Sequence, residues 1–393
     1  RASPVVRPSD SELDGIAYIL NESRRFAIYG GSGCQGAHDE IVALADKMKA
    51  PVAHTSRAKD FLEYDNPFNV GMTGLLGTAG GYHTLKNCDT LLLLGCDFAW
   101  RQFYPDNARI VQIDIDPSHL GRRHPIELGA VGNIKDTVAA LLPRLKPRTD
   151  RAFLDDCLAR HDKAVAALDK RAAPQHFGKI HPQYVATLID KHAADDAIFT
   201  ADGGSPMVWL LRHIKANGKR RTLTSLTHGT MANAMPQSLG AKRAFPDRQV
   251  ISMSGDGGLS MLLGDLLTAI QEKIPIKVVV FNNGSLGFVE MEMKVEGLLN
   301  AYTNLENPDF SKVAQAIGFH ARRVERAEDL EGAIQDWLAQ PGPALLDVVA
   351  SKLELVMPPN VEVGQVFGTA LYSAKALLGG RAGDVWDLAV DNI

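Results

Sequence analysis

The feature that most constrains this chain is a twice-repeated alternation of short Val-, Ile- and Leu-rich runs with stretches of helical periodicity. Short runs so rich in these residues, alternating with helical patterns, read as strands of a parallel sheet covered by helices on both faces. The first series is 26–30, 51–55, 90–95 and 109–114; the second is 197–201, 250–254, 277–281 and 344–349. Between the first two runs, Ile41, Leu44, Ala45 and Met48 share one face of a helix predicted over 38–49. The stretch 148–179 is charged, rich in Ala and without a strand candidate, and predicts a helical linker. The expected fold class is α/β: two doubly wound parallel-sheet domains, 1–150 and 181–355, a linker over 151–180 and a short C-terminal tail over 356–393.

Composition closes off several classes. A net charge of −4 leaves no basic footprint for nucleic acid. Cys34, Cys88, Cys96 and Cys157 show no CxxC spacing, which reads as free thiols in a reducing compartment rather than disulfides or a zinc site. The apolar runs are too short to span a bilayer, and residues 1–10 lack the apolar core of a signal peptide. The expected location is the cytoplasm.

The chemistry-bearing pattern sits in the second series. Gly255-Asp256-Gly257-Gly258 leaves the run 250–254, and 24 residues separate Gly257 from Asn282-Asn283, which leave the run 277–281. A right-handed crossover puts both tips on one sheet edge, where open α/β sheets bind ligands. Asp256 and Asn283 then offer a carboxylate and an amide oxygen to one hard cation. Magnesium takes about six oxygens, and phosphate commonly supplies some of them. The glycines admit a phosphate close to the backbone. A helix beginning near Gly258, carrying Leu259, Leu262, Leu263, Leu266 and Ile270, turns its first N–H groups toward negative charge. A lone GDG reads equally as a turn whose Asp caps a helix; the spacing to the paired asparagines argues against that.

These residues resemble the cofactor motif of the thiamine-diphosphate (ThDP)-dependent decarboxylase and oxidase superfamily. The segment 201–206, with Gly204 and Ser205, is similar to the loop that holds the diphosphate. The segment 228–236, with His228, Gly229 and Met231, is similar to the one lining the middle of the cofactor, where Met231 would sit beneath the bent molecule. The resemblance implies ThDP contacts also from Gly255, Gly257, Gly258, Asn283, Leu286 and Gly287. It implies Mg²⁺ held by Asp256, Asn283 and a backbone oxygen of Ser285.

In the first domain, Gly31-Ser32-Gly33-Cys34-Gln35-Gly36 is a literal GxGxxG. The acid expected at the end of the second strand is missing, because Thr55-Ser56 stands there, so a simple NAD site is disfavoured. Three further segments resemble the flavin contacts of the pyruvate oxidase group. They imply FAD bound by Gly31, Ser32 and Gly33, by Thr73, Gly74, Leu75, Leu76 and Gly77, by Asp97, Phe98, Ala99, Trp100 and Arg101, and by Asp114 and Ile115. Gly132-Asn133 departs from the Gly-Asp that many relatives place near the adenine.

Within the superfamily the resemblance is nearest the pyruvate dehydrogenase (quinone) and pyruvate oxidase group. It implies conversion of pyruvate, or a similar 2-keto acid, to acetate and CO₂, with electrons passing through FAD to a quinone. Phe288 would be a mobile aromatic between the cofactors and Glu292 an acid near the substrate. Acetolactate synthases usually carry a tryptophan after the paired asparagines; Trp100, Trp209, Trp337 and Trp386 all lie elsewhere. An acetolactate synthase-like enzyme, another 2-keto acid decarboxylase and a non-catalytic binding fragment are the alternatives.

The family's activating glutamate resides in an amino-terminal pyrimidine-binding domain, and no Glu here stands in a matching motif. The expectation is a fragment, or a partner of a separate pyrimidine domain, inactive alone and homo-oligomeric by resemblance. In the tail, Phe367, Leu371, Ala374, Leu377 and Leu378 predict one apolar stripe, which Gly379-Gly380 interrupts before Asp384, Asp387 and Asp391. Acidic residues disfavour anionic lipid. Docking of the tail on the protein is expected, with weak peripheral contact at the inner face of the membrane as the other outcome.

Overall fold

Phe26–Gly30 (β1) is buried at every position, as a strand inside a covered sheet must be. Its alternate residues face opposite layers. Phe26 and Ile28 join Leu13, Leu20, Ile41 and Leu44 on one side, whereas Ala27 and Tyr29 join Leu85, Leu91 and Cys157 on the other. In this computed structural model, which describes residues 4–174, 180–352, 363–378 and 385–386, β1 belongs to a six-stranded parallel sheet. The other strands are Val52–His54 (β2), Asn69–Met72 (β3), Thr90–Leu94 (β4), Arg109–Asp114 (β5) and Leu128–Val131 (β6), in the order β3-β2-β1-β4-β5-β6.

A second six-stranded parallel sheet is built from Ile198–Ala201 (β7), Arg221–Thr224 (β8), Val250–Gly255 (β9), Lys277–Asn282 (β10), His320–Val324 (β11) and Ala344–Val349 (β12). Its order is β11-β12-β10-β9-β7-β8. One face buries Ile276, Val278, Val280 and Leu345 beneath Leu259, Leu266 and Phe310. The α/β class with two parallel-sheet domains therefore holds.

The eight runs that predict strands all form strands. The four strands absent from that reading, β3, β6, β8 and β11, are the four sheet edges. Edge strands face solvent on one side, so they carry residues such as Arg322 and Arg323 in place of an apolar run. The charged stretch does form a helix, Ala152–Arg171, but its first turns bury Leu154 and Cys157 in the core of the first unit. The chain's contacts part into two compact units between Ala167 and Leu168, within this helix.

The single helix expected after GDG is broken. Asp256–Met261 ends at Leu262, a 3₁₀ turn Leu263–Asp265 follows, and Leu266–Gln271 resumes. Leu259 and Leu266 are buried while Leu262 is exposed, so the five residues do not share one face. Gly264, a poor helix former, stands in the break.

All four cysteines are free and buried, and burial pushes the thiols of Cys34 and Cys88 up to about 12. Among the described residues, no helix is long and apolar enough to cross a membrane.

The tail forms a helix, Val363–Leu378, packed on the helix Gly287–Val295. Tyr372 and Ala376 are its buried contacts, with the Lys294 ammonium 5.4 Å from the Tyr372 ring centre and Lys375 Nζ donating to the Gly297 carbonyl. The expected stripe is thus misplaced: Leu371, Ala374, Leu377 and Leu378 are exposed. The Phe367 side chain, Gly379-Gly380, Asp384, Asp387 and Asp391 lie outside the described residues.

Candidate cofactor site

The register of the second sheet brings the two predicted tips together. Phe281 of β10 stands beside Gly255 of β9, so Asn282 and Asn283 leave the sheet next to Asp256. The contact is direct. Asp256 Oδ1 accepts from the Gly257 N–H at 2.8 Å, and Oδ2 accepts from the Gly284 N–H at 2.7 Å and from Asn307 Nδ2 at 2.7 Å. Asn283 Oδ1 accepts from the Ser285 N–H at 3.1 Å. The Asp256 carboxyl is buried, and burial pushes it above its ordinary value while the surrounding N–H donors act in the opposite sense. Among the described residues no cationic side chain pairs with it.

Asp256, Asn283 and Ser285 line one cavity of about 320 Å³. The opposite wall comes from the tip of β7. Asp202 leaves that strand, and Gly204 holds a φ of +122°, a conformation that favours glycine. It precedes the helix Ser205–His213, which has no side-chain cap, so its first N–H groups are available to an anion. A Cβ on Gly204 would meet nothing nearer than Pro206 Cδ at 4.0 Å, and one on Gly229, also in the lining, nothing within 4 Å. Backbone therefore faces open space on two sides of the cavity.

The GDGG glycines serve differently. A Cβ on Gly257 would stand 2.9 Å from Leu286 Cδ2 and 3.1 Å from Met231 Cε, so Met231 and Leu286 close over this residue. Gly258 is kept bare by Asp202, whose Oδ2 would lie 2.2 Å from a Cβ there. Asp202 ties three segments, accepting from the N–H groups of Ala234 at 2.9 Å and Gly255 at 3.1 Å. Burial pushes its carboxyl up to about 6.

The donor set fits magnesium. The side chains of Asp256 and Asn283 offer it hard oxygens, a carboxylate and an amide, without imidazole or thiolate. Among the described residues no three His, Cys, Asp or Glu side chains converge as a metal site. A buried carboxylate without a cationic partner, opposite uncapped helix N–H groups, suits a metal–diphosphate pair.

Residues 202–348 match the family model of the C-terminal TPP binding domain of thiamine pyrophosphate enzymes, and residues 13–141 match that of their central domain. The chain carries these two thiamine pyrophosphate enzyme domains. Most of the cavity's lining falls within the matched region 202–348. The chain is 32% identical over 370 residues to a putative thiamine pyrophosphate-containing protein, YdaP, of Bacillus subtilis, covering 94% of this chain and 64% of that one. It is 30% identical over 367 residues to a probable acetolactate synthase large subunit of Methanocaldococcus jannaschii, covering 89% of this chain and 62% of that one. It is 30% identical over 361 residues to the acetolactate synthase isozyme 1 large subunit of Escherichia coli, covering 89% and 63%. The chain therefore spans somewhat less than two thirds of the length of these relatives.

Of the predicted residues, Gly204, Ser205, Gly229, Met231, Gly255, Gly257, Gly258, Leu286, Gly287 and Phe288 line the cavity with the three metal-ligand candidates. His228 and Glu292 are exposed and outside the lining. The buried acid of the helix Gly287–Val295 is Glu290, which accepts from Ser285 Oγ at 2.6 Å and pairs with Lys294 Nζ at 2.8 Å. Trp209 also lines the cavity, reaching it from the helix Ser205–His213 rather than from the segment after the paired asparagines. Glu290, Trp209 and Asn307 carry no motif; only the fold places them here.

The carboxyl edge of the first sheet behaves differently from a standard dinucleotide loop. The Gly31 and Gly33 N–H groups are taken by the carbonyls of Leu94 and Gly95, at 2.8 and 3.0 Å, and the following α-helix does not start until His38. These glycines permit close packing: a Cβ on Gly31 would lie 2.3 Å from the Gly95 carbonyl oxygen. Asp97 is held by Arg122 and Arg123, so its carboxylate braces its own loop. Among the described residues the buried hydroxyls of Thr55, Thr73 and Thr78 find no hydrogen-bond partner, and Leu75, Trp100 and Ile115 are exposed beyond β3, β4 and β5. Ser32, Ala99 and Arg101 are exposed, Gly74, Gly77, Phe98 and Asp114 buried, and Leu76 half-buried.

Proposed function

We propose that this chain grips the magnesium–diphosphate end of ThDP and forms part of an enzyme that decarboxylates a 2-keto acid such as pyruvate. The observation that carries the reading is a single cavity lined at once by Asp256, Asn283, Ser285 and the uncapped start of the helix Ser205–His213. By this reading Asp256, Asn283 and the Ser285 carbonyl hold Mg²⁺, and Gly204 and Ser205 face the diphosphate. Bound ThDP supplies carbanion chemistry for loss of CO₂. The residues of this chain would anchor it: Met231 and Leu286 form an apolar ridge over Gly257, and Trp209, Phe288 and Val289 add apolar lining that would help keep water from it.

For the fate of the decarboxylated fragment we favour acetolactate synthase-like joining to a second keto acid, because the Methanocaldococcus and Escherichia relatives carry that name. The second reading is oxidation of pyruvate to acetate, with FAD in the first domain and a quinone as acceptor. It is favoured by Phe288, rather than a tryptophan, lining the cavity after the paired asparagines, and by the unpartnered hydroxyls and exposed apolar side chains at the first sheet's edge. In both readings an amino-terminal pyrimidine-binding domain supplies the activating glutamate.

Calorimetric titration of ThDP, with and without Mg²⁺, tests the core of this reading. Binding is expected only with the metal, and Asp256→Ala is expected to abolish it. Equal binding by the variant overturns the assignment. With the pyrimidine domain added, pyruvate separates the fates: acetolactate supports the first, acetate with reduced quinone the second.

A further inference from the structure

Asp256 is not aimed by its own motif alone. The segment after the helix Gly287–Val295 folds back over the tip of β10. The Leu286 N–H donates to the Thr303 carbonyl at 2.8 Å and the Leu305 N–H to the Gly284 carbonyl at 2.9 Å, around an antiparallel bridge between Ser285 and Asn304. This strap delivers Asn307 to Asp256. Asn307 Nδ2 spends its two hydrogens on Asp256 Oδ2 at 2.7 Å and Asn282 Oδ1 at 2.9 Å. Asn282 Nδ2 in turn donates to Asp347 Oδ1 at 3.0 Å, and Asp347 Oδ2 accepts from Arg323 Nη1 at 2.8 Å. A carboxylate only accepts, so one at each end sets the orientation of both amides. Asn307 thus donates both ways, to the candidate metal ligand and, through Asn282, toward the Asp347–Arg323 salt bridge between β12 and β11.

The count of lone pairs then separates the two oxygens of Asp256. Oδ2 takes two close donors, Gly284 N–H and Asn307 Nδ2, which fill it; Oδ1 takes one close donor, the Gly257 N–H, while the Asn283 N–H also acts on the carboxylate. We propose that Asn307 is a positioning residue that occupies Asp256 Oδ2, so that the carboxylate offers a cation Oδ1 alone. The inference rests on the metal–diphosphate reading above and deepens it. A one-oxygen carboxylate ligand suits Mg²⁺, which demands near-ideal octahedral geometry. Ca²⁺ accepts two-oxygen carboxylates and irregular shells. Removing the donor frees Oδ2 and removes the discrimination.

The test titrates Mg²⁺ and, separately, Ca²⁺ into the full chain at fixed ThDP, following ThDP binding by calorimetry, for wild type, Asp256→Ala and Asn307→Ala. Outer-shell partners of metal ligands are worth about 10–100-fold in affinity. In Asn307→Ala the Mg²⁺ midpoint is expected to rise about tenfold or more, with the Ca²⁺ midpoint moving less than about threefold. Midpoints that rise equally for both ions, as a general loosening of the fold produces, overturn the positioning role. So do midpoints that do not move, and in either case the site assignment survives if Asp256→Ala abolishes binding. Metal-independent ThDP binding by wild type, or none, overturns both. Should Asn307→Ala melt below the titration temperature, Asn307→Ser, too short to reach both acceptors, is read by the same criterion.

Discussion

Two carboxylates drawn out of full solvent show how the surroundings of a single residue decide its energetics. Glu63 is half-buried, and the loss of solvent opposes its ionisation, but Lys59 and His54 outweigh this and lower its carboxyl from 4.5 to about 2. Its folded value lies below its unfolded one, so the stability it adds is present above about pH 4.5 and is lost as pH falls through 2. Denaturant unfolding of Glu63→Gln should show a loss of about 1–3 kcal/mol at neutral pH and lack this acid-dependent leg. A variant whose pH dependence matches wild type contradicts the pairing. Asp202 works in the opposite sense. Only backbone N–H groups answer its burial, and its raised carboxyl costs stability that grows from 3.8 and is complete above about 6. That cost is borne where three loops must meet around the cofactor cavity.

At the scale of elements, legibility followed burial. β1, β4, β9 and β10 are buried almost throughout because helices cover both faces, and a run rich in Val, Ile and Leu announces such a strand. β8 and β11 are half exposed, and their alternating polar residues resemble loop. The tail helix failed as a reading for a related reason. Its partner surface, the helix Gly287–Val295, is adjacent only in three dimensions, so the buried pair Tyr372 and Ala376 cannot be told from the exposed leucines by composition. Ala376→Asp puts a charge into that contact. Limited proteolysis of the segment 363–378 should accelerate about tenfold, the effect of roughly 1.4 kcal/mol in local opening. An unchanged rate means that this packing does not hold the helix.

On the scale of the whole molecule, two similar sheets carry different chemistry at their carboxyl edges. The second gathers oxygen ligands and uncapped helix N–H groups, whereas the first packs its glycine loop against β4 and leaves unpartnered hydroxyls and exposed apolar side chains nearby. If those groups meet a flavin, the chain purifies yellow or takes up FAD with a change in the flavin spectrum; a colourless chain that ignores added FAD removes it from the proposed function. The sequence by itself determined the α/β class and the pairing of Asp256 with Asn283. Strand tips separated by one crossover helix must fall on one edge of a parallel sheet, whatever the rest of the chain does. Only the tertiary structure decided which groups aim those ligands. Asn307, Glu290 and Asp202 arrive from loops whose positions depend on strand register and on packing, and no local pattern encodes a contact that the fold alone creates.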